Sequence, residues 1–375
     1  MEDTEVRRLA REVFAPLAAA GEPGRVNRPL VRALGETGLL PRLFPTPLGG
    51  TGGACVSAGE LCRFREALAR ECTEAETALA LQGLGTYPLV QSGSAELARR
   101  IVPAVARGEA VAAFALSEPG AGTDAAALAL AAEPDGGGWR LSGEKIWISN
   151  APDADVYTVF ARTSPEAGAR GVTAFVVAGD AAGLSGEPIE MIAPHAIGRL
   201  VFDGVAVGPG DVLGDVDAGF RVAMRTLDLF RPSVGAFAVG MAEAALDHAV
   251  AHAAERRAFG RPIAEFQAVS HALADMATRT QAARLLVYDA ARAYDDGRTG
   301  DVTRLAAMAK LYATETAQFV VDAAVQILGA RALVAGHPLE HLYREVRAPR
   351  IYEGTSEIQR TIIARALLRP GADAP

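Results

Sequence analysis

The stretch IYEGTSEIQR, residues 351–360, sets one carboxylate, Glu353, between an aromatic residue and a glycine, just ahead of a helix start. Gly354 allows backbone angles or close approaches that a side chain blocks. Thr355 or Ser356 can cap the next helix, TSEIQRTIIARALL, whose apolar residues Ile358, Ile362, Ile363 and Leu367 recur at helical spacing. A carboxylate held in such a loop can face a cavity as a general base. A plain surface glutamate has the same local sequence, since exposed carboxylates are the norm. The remainder of the chain must decide between the two.

Working outward, three textures succeed one another. Residues 1–112 read as helices broken by turns, with Pro/Gly-rich punctuation at 44–53 and a helix over 58–81. Residues 113–216 hold short β-prone runs such as WRLSGEKIWISN, ADVYTVFART, GVTAFVVA and RLVFDGVAV, separated by Gly, Asp and Pro turns. Residues 217–375 return to helical spacing. Val234, Phe237, Ala238, Met241 and Ala245 form an apolar stripe there, with Pro232 suited to a first helical turn. Further helices are expected over 265–296 and 301–328, parted by the DDGRTGD turn. The fold class expected is mainly α with a central β-domain.

Composition narrows the function. A chain of 375 residues, half of them apolar and 6% aromatic, favours close-packed helices around a large core. A net charge of −8 argues against non-specific nucleic-acid binding. No run approaches the ~20 continuous apolar residues of a membrane span, and the charged start MEDTEVRRLAREV is not signal-like. Cys55, Cys62 and Cys72 lack metal-ligand spacing and read as reduced thiols, so a cytoplasmic protein without a metal is expected.

Three further segments carry chemistry. FALSEPGAGTDAA, residues 114–126, is a small-residue turn after a hydrophobic strand; Gly120 and Gly122 permit close approach of a flat or charged ligand, and Ser117 and Thr123 supply hydroxyls. It is neither a Rossmann nor a P-loop fingerprint, and an ordinary turn reads the same. In GEKIWISNA, residues 143–151, Trp147 alternates with Lys145 and Ser149 on one strand face. There it could pack against an aromatic ring system or plug the β-domain core. Basic clusters at Arg256, Arg257 and Arg261 and at Arg344, Arg347 and Arg350 suit either a phosphate-bearing partner or a solvated helix face.

Taken in order, ALSEPGAGTD, KIWISN, TLDLFRPSVGAFAVG, ERRAFGRPIAEFQAVSHALADMA and IYEGTSEIQRTIIAR resemble the acyl-CoA dehydrogenase family of flavoproteins along essentially the whole chain. The resemblance implies a helical N-terminal domain, a central β-barrel-like domain and a C-terminal four-helix bundle. It also implies FAD as cofactor and assembly as a homo-oligomer, tetramer or dimer. By position, Phe114, Leu116, Ser117, Gly122, Thr123, Trp147 and Ser149 would line the isoalloxazine side of FAD, with Thr355 and Glu357 also touching it. Arg256, Phe259, Gln267, Gln326 and Gly329 match the surface that grips the adenine-dinucleotide half from a neighbouring subunit. Asp228, Arg231 and Gly354 match substrate positions, and Glu353 matches the catalytic base. Some branches place that base on the helix before the Arg-Pro pair, where this chain has Phe230.

The chemistry so implied is removal of the α-proton of an acyl-CoA by Glu353, loss of the β-hydride to the flavin, and passage of electrons to an electron-transfer flavoprotein. The enolate would be held by a ribityl hydroxyl and the backbone N–H of the base. Two departures stand out: Ala330 follows Gly329 where a second glycine is common, and 191–200 contains Pro194 and His195 in place of a Gly-Arg-Ser-like turn. The alternatives on the same fold are an acyl-CoA oxidase, a monooxygenase, or a dehydrogenase of carrier-protein thioesters. A non-catalytic acyl-thioester-binding protein is the alternative outside enzymology. Glu353 disfavours the monooxygenase, and the retained flavin positions disfavour the binding protein.

Overall fold

The computed structural model describes residues 1–368. In chain order the helices are α1 (Asp3–Leu9), α2 (Ala15–Ala19), α3 (Arg28–Glu36), α4 (Ala58–Ala69), α5 (Thr73–Ser92) and α6 (Ala95–Ala106). The strands β1 (Ala112–Ala115), β2 (Ala131–Asp135), β3 (Gly138–Ser149), β4 (Val156–Arg162), β5 (Val172–Ala178), β6 (Leu184–Pro188), β7 (Ile197–Val207) and β8 (Val212–Leu213) follow. Then come α7 (Gly219–Glu255), the short hairpin β9 (Arg257–Ala258) and β10 (Arg261–Pro262), and α8 (Gln267–Asp295), α9 (Thr299–Leu328), α10 (Pro338–Glu345) and α11 (Ser356–Leu368). Helices before and after one run of strands along the chain make it mainly α with a β-domain.

Two compact units result. Among the described residues one gathers 1–11, 57–76 and 228–368; the other holds 12–56 and 77–227. In the first, α9 packs against α8, α10 and α11, and α4 packs on α8. Gly235 of α7 shows how tight this bundle is: a Cβ there would lie 2.7 Å from Val287 Cγ2 on α8 and 3.3 Å from the Ala309 carbonyl on α9. The last residue of α8 also serves the start of α4. Asp295 accepts hydrogen bonds from Ser57 Oγ at 2.9 Å and from the Ala58 and Gly59 amides at 2.7 and 3.0 Å, placing negative charge where helix N–H groups lack partners.

In the second unit the sheet runs β6-β7-β3-β2-β4-β5-β8, with β1 beside β4 in parallel. β3 and β7 form its longest antiparallel pair, interrupted by register shifts at 141/143 and 145/148. The β4 and β5 runs are buried at nearly every residue, so they read as continuous hydrophobic stretches. α5 lies on the sheet through Gln82, whose Oε1 accepts the Ala112 amide at 2.9 Å, and through the Gly85 carbonyl, which accepts Thr158 Oγ1 at 2.9 Å.

Two expected elements differ. The helix expected over 58–81 is two helices, parted at Arg70–Cys72, because residues there close α4 with turn hydrogen bonds before α5 begins. Pro232 does not open a helix; it lies inside α7, which starts at Gly219. That helix is long and apolar enough to cross a membrane by composition, with a best-window mean hydropathy of 1.3, yet 61% of that window is buried inside the protein, as a core helix is.

Candidate active site

Glu353 sits in the turn between the helical turn Ala348–Arg350 and α11. Its φ is 52° and that of Gly354 is 90°, two successive left-handed residues of which only the second is a glycine. Left-handed backbone costs a non-glycine residue energy, so surrounding contacts must hold it. They do so through its carbonyls. The Glu353 carbonyl accepts Arg231 Nε at 3.2 Å and Gln359 Nε2 at 3.1 Å; the Gly354 carbonyl accepts Lys310 Nζ at 2.7 Å and Gln359 Nε2 at 2.9 Å. A Cβ on residue 354 would come within 2.7 Å of that Gln359 amide, which explains the glycine.

The carboxylate is treated differently from the backbone. Residue 353 as a whole is part-exposed, but its Oε2 is sealed from solvent and has no hydrogen-bond partner. Burial raises its pKa above the ordinary carboxyl value of 4.5, while Arg65, Arg231 and Lys310 pull it back down. Arg65 is spoken for elsewhere: it pairs with the fully buried Glu76 and donates to Ser233 Oγ at 2.7 Å. Three cations therefore bear on Glu353 without any of them bonding to its Oε2. That leaves a basic oxygen available to a substrate proton.

Asp228 and Arg231, expected at the substrate, make contacts within the protein. Arg231 is 5% exposed, reaches Asp228 Oδ1 at 3.4 Å, and grips the base's carbonyl as described; Asp228 Oδ2 also accepts Thr303 Oγ1 at 2.9 Å. Thr355, not Ser356, caps α11, accepting the Ile358 amide at 3.4 Å, while Ser356 Oγ donates to Glu315 at 2.6 Å. Glu357 is exposed at the start of α11, where its own amide and Thr355 lower its pKa.

The expected flavin segment lies in the second unit. Phe114 ends up on β1, tilted against Phe160 at 4.9 Å, and the turn 117–123 follows. Lys145 and Glu118 fasten this turn to β3. Lys145 is fully buried and donates to the Leu116 carbonyl at 2.9 Å and to Glu118 Oε1 at 2.7 Å; Glu118 accepts the Ala129 and Leu130 amides at 2.6 and 2.9 Å. The Ile146 amide bonds the Ser117 carbonyl at 3.0 Å. Neither Lys145 nor Glu118 was expected in this role.

Trp147 does not share a face with Lys145. The register shift between 145 and 148 buries both Lys145 and Ile148, and Trp147 turns outward with φ 61° and 54% exposure. A bulge breaks the period of two. Ser149 regains the ladder opposite Ile197. Beside this strand, Gly120 and Gly122 face open space. An outward indole held in strained backbone, next to an open small-residue turn with hydroxyls, fits a flat heteroaromatic cofactor.

The positions expected to serve the dinucleotide are exposed. Arg256 follows α7, Phe259 is 95% exposed at the tip of the β9–β10 hairpin with φ 49°, and Gln267 and Gln326 face outward. Gly329 has φ 63°, which suits glycine, and Ala330 beside it is exposed. The second basic cluster does not form one helical face: α10 ends at Glu345, Arg344 pairs with Glu340 at 2.7 Å, and Arg350 pairs with Glu315 at 3.0 Å. A cavity of about 220 Å³ in the second unit, lined by Gln91, Ser92, Asp215, Arg221 and Arg225, was not expected from the sequence. Nothing in GFRVAMRT separates those arginines from ordinary helix-surface ones.

Known proteins share this fold. The chain matches the family descriptions "Acyl-CoA dehydrogenase, N-terminal domain" over 1–109, "middle domain" over 113–205 and "C-terminal domain" over 217–368. It is 38% identical over 372 residues to a cyclohexane-1-carbonyl-CoA dehydrogenase of Geobacter metallireducens, covering 98% of this chain and 96% of that one. A solved butyryl-CoA dehydrogenase of Megasphaera elsdenii superposes with TM-score 0.91 at 33% identity, covering 98% of each chain. A chain solved in work on an electron transferring flavoprotein of Acidaminococcus fermentans and flavin-based electron bifurcation superposes with TM-score 0.92 at 34% identity, again covering 98% of each. The chain belongs to the acyl-CoA dehydrogenase family. It is an oxidoreductase, and its cofactor is FAD.

Proposed function

We propose that the protein dehydrogenates an acyl-CoA thioester at its α,β-bond to give the 2,3-enoyl-CoA, with Glu353 as the base. The observation that carries this is the state of the Glu353 carboxylate: buried Oε2, no partner, and a pKa raised by burial yet restrained by three cations. The α-proton of a thioester is weakly acidic, and a base of raised pKa is better matched to it than an ordinary surface carboxylate. Arg231, Gln359 and Lys310 orient the loop, so the carboxyl is pre-positioned rather than recruited. Bound FAD supplies the acceptor for the β-hydride. The turn 117–123, Trp147 and Ser149 would hold it on the β-domain, and Arg256, Phe259, Gln267, Gln326 and Gly329 would hold a neighbouring copy's dinucleotide.

Arg221 and Arg225 at the 220 Å³ cavity suit the phosphates of CoA, because guanidinium matches phosphate in pairs of hydrogen bonds. The Acidaminococcus likeness supports an electron-transfer flavoprotein as acceptor, and the relatives' names put alicyclic and short straight acyl groups first among candidates. Anaerobic titration of the holoenzyme with cyclohexane-1-carbonyl-CoA and butyryl-CoA tests the reading. Bleaching of the flavin with formation of the enoyl thioester is expected from at least one of a panel headed by these two. No bleaching across the panel would overturn it.

A further inference from the structure

We infer that Lys310 and Gln359 are positioning residues for Glu353, working as a two-sided clamp on the carbonyls of the base's own turn. The inference rests on the reading of Glu353 as the base and adds what keeps it in place. Lys310 stands on α9 and Gln359 on α11, and both are fully buried. A buried ammonium ordinarily has a carboxylate partner. Among the described residues Lys310 forms no ion pair, and its Nζ goes instead to the Gly354 carbonyl at 2.7 Å.

Gln359 repeats the pattern. Its Nε2 bridges the Glu353 and Gly354 carbonyls at 3.1 and 2.9 Å, whereas its Oε1 is buried without a partner. The opposite amide orientation would set Oε1 against two carbonyl oxygens, so the donors must point at the turn. Two buried side chains are thus committed to a two-residue left-handed backbone. Lys310 and Gln359 satisfy the turn's carbonyls, and by holding φ at 52° on a glutamate they also fix the direction of its carboxyl.

The charges around the turn set a second signature. Glu353 is faced by Arg65 from α4, Arg231 from α7 and Lys310 from α9, with Glu76 behind Arg65 and Tyr352 alongside. Lys310 is faced by Glu353, Arg231, Glu315 and Glu357. Burial lowers its pKa to about 8, so it remains a cation in acid. Losing it removes positive charge from beside the base.

The test uses holoenzyme and a 3-thia-acyl-CoA, in which sulfur replaces the β-carbon, so the α-proton can leave but no β-hydride can. Exchange of that α-proton with D2O is followed against pH in Lys310→Met and Gln359→Met, with melting temperature and flavin content as controls. Both variants are expected to keep flavin and near-normal substrate affinity while exchanging about 10²-fold more slowly. In Lys310→Met the acid limb should also move up by about one pH unit, and in Gln359→Met it should stay, because no charge is lost. Wild-type exchange with an unmoved limb in folded, flavin-loaded variants would overturn the clamp. If Lys310→Met fails to fold, wild-type exchange by Gln359→Met alone would do so. Exchange by Glu353→Gln at the wild-type rate would remove the base assignment itself, a different failure.

Discussion

At Glu353, stability and function oppose one another. A carboxyl whose folded pKa is raised stabilises the protein below the unfolded value of 4.5, and that contribution is lost as pH rises through the folded value. Catalysis needs the ionised form, so turnover should climb over the pH window in which stability falls. We predict that Glu353→Gln holoenzyme melts above wild type at pH 8, with the gap closing as pH falls toward 4.5. Melting curves across that range check it, and a variant melting below wild type at pH 8 would contradict it. IYEGTSEIQR alone leaves a surface glutamate equally open, and only the five ordered motifs together single out Glu353 as the candidate base. Its surroundings were not legible, because Arg231, Lys310 and Arg65 lie far away in sequence and converge only when α4, α7, α9 and the turn pack together.

Among the elements, periodicity served best where helices are long and capped by plain signals. α8 and α9 begin and end within two residues of their expected bounds. It failed where a local rule was overridden. The stripe around Val234 suggests a helix that starts at Pro232, but α7 continues back to Gly219 because its earlier turns are buried as well. On β3 the period of two predicted one face for Lys145 and Trp147, and a bulge that no residue type announces separated them. What the bulge produces is a buried Lys145–Glu118 pair beneath the flavin-type turn. Lys145→Met should leave Glu118 buried with its cation gone and destabilise the protein by about 3 kcal/mol. Denaturant unfolding measures this, and a loss below 1 kcal/mol would show that the two backbone amides alone satisfy Glu118.

At the scale of the molecule, the family, the mainly α class and the flavin were all readable from five ordered motifs. The positions expected to serve the dinucleotide are the least engaged by the chain's own packing. Arg256, Phe259, Gln267 and Gln326 stand exposed, with Leu333 and Val334 also open at 69% and 62%. We predict that Arg256→Ala loses FAD on dialysis about tenfold more readily than wild type, while molecules still loaded turn over normally. Flavin-to-protein absorbance ratios after dialysis decide it; equal occupancy would remove the phosphate role.

The most direct measurement is anaerobic mixing of flavin-loaded Glu353→Gln with an acyl-CoA that bleaches the wild type. Slowing of flavin reduction by at least about 10³-fold, with cofactor and substrate still bound, is expected when the proposed base has become an amide. Reduction at the wild-type rate would mean that some other residue is the base.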